Sequence, residues 1–247
     1  MGQYFAIEYT GASFQLFGTG HLIALSLIFV SCLSFLYFRD VWGDQEKKRF
    51  RYILAVILFL NEIAWHIWAA YWGVWTIQTM LPLHMCSVVV WLTMYMLLTN
   101  SYQVYEISYF LGIGGALQAL LTPDITGYGF PHFRAFNSFL AHGLLVAVPV
   151  YMTLVEGYRP TWASFKRIFI WTNIYMIIVF FLNLMIGSNY LFIAYKPSFP
   201  TLLDILASWP WYIIELEFVA FLIFLFLYLP FLIKDWRIKS RFSAADR

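Results

Sequence analysis

WPWYIIELEFVAFLIFLFLYLPFLI, residues 209–233, decides the fold. From Phe218 to Ile233 it carries no charge, and Lys234 and Asp235 close it. A helix crossing the hydrocarbon of a bilayer needs ~20 apolar residues. A barrel strand would alternate in polarity, and this stretch does not. Runs of the same kind, bounded by polar residues, Gly or Pro, lie at 20–38, 52–72, 80–99, 104–121, 135–155 and 165–187. The whole chain of 247 residues is 62% hydrophobic and 11% charged, with a mean hydropathy of +0.73. A soluble domain carries about 25% charged residues, so this surface belongs in lipid. The expected fold is all-α: a polytopic membrane protein, one domain over 1–247, with seven transmembrane helices.

An odd number of spans puts the two ends of the chain on opposite sides. With the N-terminus outside, thirteen of the fifteen Lys and Arg residues fall in inner loops or the inner tail, and only Arg134 and Lys196 remain outside. Basic residues stay on the cytoplasmic side, so the expected topology is N-terminus outside and C-terminus inside. The net charge of +2 is spread over short loops rather than along one face, and no nucleic acid partner is expected. The opening residues lack the basic start and cleavage pattern of a signal peptide. Cys32 and Cys86 belong to different depths of different spans, which argues against a disulfide. The longest connection, residues 188–208, is too apolar for a floating linker and is expected to cap an outward-facing cavity. Gly112, Gly114 and Gly115 suit close helix packing in lipid.

Depth separates the polar residues. All the histidines (His21, His66, His84, His132, His142) fall in the outer half of the expected topology, and the inner halves of the spans look almost bare. Glu62 and His66 are four apart in mid-span and share a helix face, so they are expected to pair. Ionisable groups at such depth normally face a bundle interior or a wet cavity. His21 reads as a residue of the interface at a span end, and His132 as a residue either of the cavity or of the interface. Arg134 and Lys196, the two outward cations, suit a phosphate group, with Asn61, Asn189 and Glu215 as further candidate substrate contacts. No HxxxH or HxxE spacing occurs, and no metal is expected. No cofactor is expected either.

LPLHMC, residues 81–86, joins a proline, an imidazole and a thiol at the start of a span. Pro82 suits the first turn of a helix, and a thiol near a helix N-terminus gains nucleophilicity. Cys86 could accept an acyl group with a histidine as base. His84 and Cys86 would lie about 200° apart around a helix, so the base would come from another span, with His66 or His142 as candidates and Glu62 orienting His66. The other reading has His84 lining the cavity while Cys86 only packs.

LPLHMC (81–86), NYLFIAYKP (189–197) and WPWYIIE (209–215) resemble motifs of the YwaF-like family of bacterial integral membrane proteins. That family is similar to a vertebrate transmembrane acyltransferase that makes polyunsaturated ether phospholipids. The resemblance spans essentially the whole chain. It implies a lipid acyltransferase of a bacterial cell membrane, moving a fatty acyl chain between phospholipid and lysophospholipid, with Cys86 as the acyl carrier. The competing expectation is a lipid or small-molecule binding or transport protein that performs no chemistry.

Overall fold

The computed structural model describes residues 2–125, 127–196 and 202–245. Among them every regular element is helical: a short 3-10 turn Gly2–Phe5, α1 Thr19–Val41, α2 Asp44–Tyr71, α3 Met85–Thr99, α4 Tyr102–Ile107, α5 Ile113–Leu121, α6 Phe133–Leu154, α7 Trp162–Ile186 and α8 Trp211–Ala245. A π-helical turn, Ser108–Gly112, joins α4 to α5 in a continuous rod over 102–121. Among the described residues six helices are long and apolar enough to cross a membrane: α1, α2, this rod, α6, α7 and α8. The exception is α3, with 15 residues. At 1.5 Å per residue it reaches ~22 Å, short of the ~30 Å hydrocarbon core.

The shortfall corrects one boundary. The helix of span three does not begin at residue 80, and Pro82 is not in its first turn. Leu81–Leu83 form a turn, His84 is the N-cap, and the helix starts at Met85. An apolar run shows that a segment is buried in lipid, not where its backbone turns helical.

The chain divides into two compact units, residues 1–158 and 159–247. In the first, α2 packs on α3 and α6, α1 on α6, and α5 on α6. Val89, Met96, Leu97, Phe110, Leu145 and Met152 fill its core. Gly112 sits where three helices meet. A Cβ there would lie 3.1 Å from the Leu145 carbonyl oxygen and 3.3 Å from Val89 Cγ1, so only glycine allows this approach without displacement. Asn61 and Asn137 cross-link α2 and α6, each side-chain amide donating to the other's backbone carbonyl at 3.2 and 2.9 Å. In the second unit α7 packs on α8 through Phe165, Phe169, Phe221 and Phe224. Asn173 Nδ2 donates to Glu217 at 2.8 Å between the same two helices. Lipid supplies no hydrogen bonds, so such side chains must satisfy one another.

Candidate functional site

Antiparallel helices bring the start of α1, the end of α2, the end of α5 and the start of α6 to one end of the first unit. There His21, in the first turn of α1 as expected of a span end, is buried. Its Nδ1 accepts the Phe17 N–H at 2.9 Å, and its Nε2 donates to the Leu120 carbonyl at 2.8 Å, tying α1 to α5. His132 is also fully buried. It caps α6 by accepting the Arg134 N–H through Nδ1 at 3.1 Å, and its Nε2 donates to the Ala6 carbonyl at 3.0 Å. Burial holds His132 below the usual histidine range; the bond to Ala6 opposes that shift, and the Arg134 charge adds to it. Both histidines work as structural pins.

Glu62 and His66 do pair: His66 Nε2 lies 3.5 Å from the Glu62 carboxylate. Trp75, in the loop after α2, donates its indole N–H to His66 Nδ1 at 3.0 Å. An indole nitrogen only donates, so Nδ1 must be the unprotonated nitrogen. Nε2 then carries the proton and directs it at Glu62. Both nitrogens of His66 are occupied, which makes it a poor proton acceptor in this arrangement. Arg134, in the first turn of α6, lays its guanidinium over the Trp65 ring at 3.8 Å. Its N–H groups donate to no acceptor among the described residues. Asp124, in the loop before α6, is raised above the usual carboxylate range by burial, with the Arg134 charge opposing. Asn61 is spent on Asn137.

In LPLHMC, His84 and Cys86 do not share a helix, because the histidine is the N-cap and the cysteine is the second residue of α3. A separation around a common helix axis therefore does not describe them. Cys86 is a free thiol. Its Sγ lies 3.6 Å from where a Cβ on Gly115 would stand, so α5 is within reach. Cys86, Gly115 and His142 each lie three residues, about one helical turn, from the Val89–Gly112–Leu145 crossing. They share one level of the bundle. His142 Nδ1 donates to the Ser138 carbonyl at 2.9 Å. A carbonyl only accepts, so Nε2 holds the lone pair. The bonds of His21, His66 and His132 put the proton on Nε2 instead; His142 alone of these four presents a basic Nε2.

The other two motifs lie in the second unit and grip each other. Asn183, at the end of α7, accepts from Ser188 Oγ at 2.7 Å and the Tyr190 N–H at 2.8 Å, and donates to the Tyr190 carbonyl at 2.9 Å. The Asn189 side chain closes the next turn on Ala194 and Tyr195. Lys196 donates to the Leu206 carbonyl at 2.7 Å, and Glu215 accepts the Ala207 N–H at 2.8 Å. Trp209 donates to the Ile193 carbonyl at 3.1 Å, and the Tyr212 hydroxyl to that of Phe192. Asn189, Lys196 and Glu215 thus each hold the loop, and the Lys196 ammonium and Glu215 carboxylate keep further donor and acceptor capacity. Residues 197–201 of the 188–208 connection, including the last residue of NYLFIAYKP, lie outside the described residues.

The opposite end of the first unit is not bare, as the sequence suggested. Arg51 pairs with Glu156, both about one-eighth exposed, and the Tyr151 hydroxyl bonds Glu156 at 2.8 Å and the Lys47 carbonyl at 3.2 Å. Glu106 is buried beside the π-helical turn, and Thr93 bonds Ser108 at 3.1 Å. Arg51 and Glu156 are 105 positions apart, so their pairing leaves no local pattern. Residues 2–18 were also missed: they cross the histidine end as a strap. Trp68 and Trp72 both donate to the Phe5 carbonyl, at 2.7 and 2.8 Å. Two indoles one turn apart at a helix end, each needing an acceptor, were the available signal. Among the described residues no three His, Cys, Asp or Glu side chains gather as metal ligands. A shallow groove on α1, lined by Thr19, Leu22, Ile23, Ser26, Leu27 and Val30, includes none of these groups.

The sequence pattern of the TMEM164 family matches residues 16–228. The chain belongs to that family and is a membrane protein of it. No curated protein and no solved structure matches the chain.

Proposed function

We propose that the chain is a membrane-embedded lipid acyltransferase working through a thioester on Cys86. What supports this reading is a thiol in the first turn of α3 at the same level of the bundle as a histidine whose lone pair is on Nε2. His142 Nε2 takes the thiol proton, and the thiolate attacks an ester carbonyl of a phospholipid. The ester C–O bond breaks, and the departing lysophospholipid oxygen takes the proton back from the imidazolium. A second lysophospholipid then attacks the thioester through its hydroxyl, gives that proton to His142, and leaves acylated. Cys86 returns as the thiol. Every atom and electron pair is accounted for without a cofactor. Arg134, stacked on Trp65 with its N–H groups unspent, would hold the phosphate. Asn189, Lys196 and Glu215 hold the loop in this scheme, and Glu62 with His66 shapes the polar interior rather than supplying the base.

The same reading completes a seventh crossing with α3 and the segment before it, sets the N-terminus outside on the thirteen-to-two charge asymmetry, and has residues 188–208 cap the outward side. It locates the protein in a bacterial cell membrane on the YwaF-like resemblance alone. Purified protein, labelled phospholipid and an acceptor lysophospholipid test the chemistry. Cys86→Ala should abolish transfer; full transfer by that variant removes the covalent route.

A second reading, a lipid or small-molecule binder or transporter, draws on the buried ionisable groups at both ends of the first unit. A transport pathway needs polar groups along both halves. Mass spectrometry separates the two: an intact noncovalent ligand with no acyl mass on Cys86 favours the binder.

A further inference from the structure

Arg134, Ser138 and His142 follow one another down α6, each four residues from the last. Every step is ~6 Å of rise and about 40° of turn, so the three share one face of the helix. Leu145, whose carbonyl oxygen meets Gly112 of the π-helical turn, falls within the same arc. The stripe is therefore turned toward the packed side of the unit, where α3 and α5 contact α6. At its head the Arg134 guanidinium lies over Trp65. At its foot His142 shares a level with Cys86 and Gly115. Ser138 stands between them, half-buried.

The Ser138 hydroxyl still has a proton to give. Ser31, Thr99, Thr122, Thr153 and Thr172 each return theirs to the backbone carbonyl one turn earlier, at 2.7 to 3.0 Å, which satisfies a hydroxyl inside a span. Ser138 makes no such bond among the described residues. Its Oγ lies 3.4 Å from His142 Nδ1, and that nitrogen carries the proton donated to the Ser138 carbonyl. Toward Nδ1 the hydroxyl can only accept, so its own O–H finds no acceptor among the described residues. A donor left unspent in hydrocarbon gains when a ligand oxygen takes it. In a glycerophospholipid the glycerol and its two esters lie between the phosphate and the acyl chains. The stripe repeats that order: a cation, then a neutral donor, then a base level with the thiol. We propose that Ser138 is a specificity-determining residue. Its hydroxyl binds an ester carbonyl oxygen of a glycerophospholipid whose phosphate sits on Arg134, and so sets how deep the lipid lies and which of its two esters meets Cys86. The choice of ester rests on the acyl-transfer reading; the binding itself rests on the stripe alone.

The probe is palmitoyl–oleoyl phosphatidylcholine, whose two chains differ in mass. The control is Ser31→Ala, which removes a hydroxyl already spent on the Leu27 carbonyl. After incubation in detergent micelles, the peptide containing Cys86 should carry one of the two chains in clear excess. Ser138→Ala should shrink that excess by about fivefold, the worth of one neutral hydrogen bond, and Ser31→Ala should keep it. The ratio is read per acylated molecule, so a loss of folded protein does not imitate the effect. Native mass spectrometry reads binding apart from chemistry. There Ser138→Ala should retain the intact lipid about fivefold less than the native chain, and Arg134→Gln should lose it as well. Equal acylation by both chains in the native protein, an unchanged ratio in Ser138→Ala, or unchanged retention in that variant would each overturn the proposal. No acyl mass at all, together with the expected losses of retention, would instead overturn the thioester and support Ser138 as a lipid-binding residue.

Discussion

The three motifs that resemble one family meet different fates in the two units. NYLFIAYKP and WPWYIIE bond each other and the turn between them: Trp209 and Tyr212 to the Ile193 and Phe192 carbonyls, and Lys196 and Glu215 to the Leu206 and Ala207 backbone. In LPLHMC the thiol of Cys86 makes no hydrogen bond among the described residues, and its Sγ lies 3.6 Å from where a Cβ on Gly115 would stand. A motif whose side chains satisfy its own backbone is accounted for by folding. A half-buried thiol beside a glycine is not, and in the proposed function that difference separates a clasp from a site.

Substitutions can break or sharpen that contrast. Cys86→Ala should lower acyl transfer by about a thousandfold or more while the melting temperature stays near that of the unmodified protein. Asn183→Ala should behave in the opposite way. It leaves the buried Ser188 hydroxyl and the Tyr190 backbone unsatisfied and should cost about 3 kcal/mol, read as a lower melting temperature with transfer per folded molecule retained. His142→Gln should reduce transfer by about a hundredfold, with His66→Gln well behind it, because of these two only His142 carries its lone pair on Nε2. Equal losses at the two histidines would remove the tautomer argument. Tyr212→Phe should cost only about 1 kcal/mol and leave transfer untouched; a large loss of transfer there would make the clasp part of the site.

Much of this architecture was legible in the residues, and the misses share a cause. Uncharged runs reveal burial in lipid, so α1, α6 and α7 emerged close to their observed limits, while α2 starts earlier, at Asp44, and α8 runs on to Ala245 through charged turns that such runs do not mark. The start of α3 did not, because Leu81 and Leu83 are as apolar as the helix that follows. The Glu62–His66 pair follows from helical spacing, whereas the Trp75 indole that decides the His66 tautomer comes from a loop. The strap binds through backbone carbonyls, which every residue has and no sequence displays. Arg51 and Glu156 meet across most of the first unit, and their charges alone pointed to a loop and a helix end.

The central claim is a thioester on Cys86. The direct measurement is the mass of the peptide containing that residue after brief incubation with a phospholipid donor and an acid quench. The account predicts an added fatty acyl mass, removed by neutral hydroxylamine and strongly reduced in His142→Gln. Full transfer activity with an unmodified Cys86 peptide at every time point would contradict it.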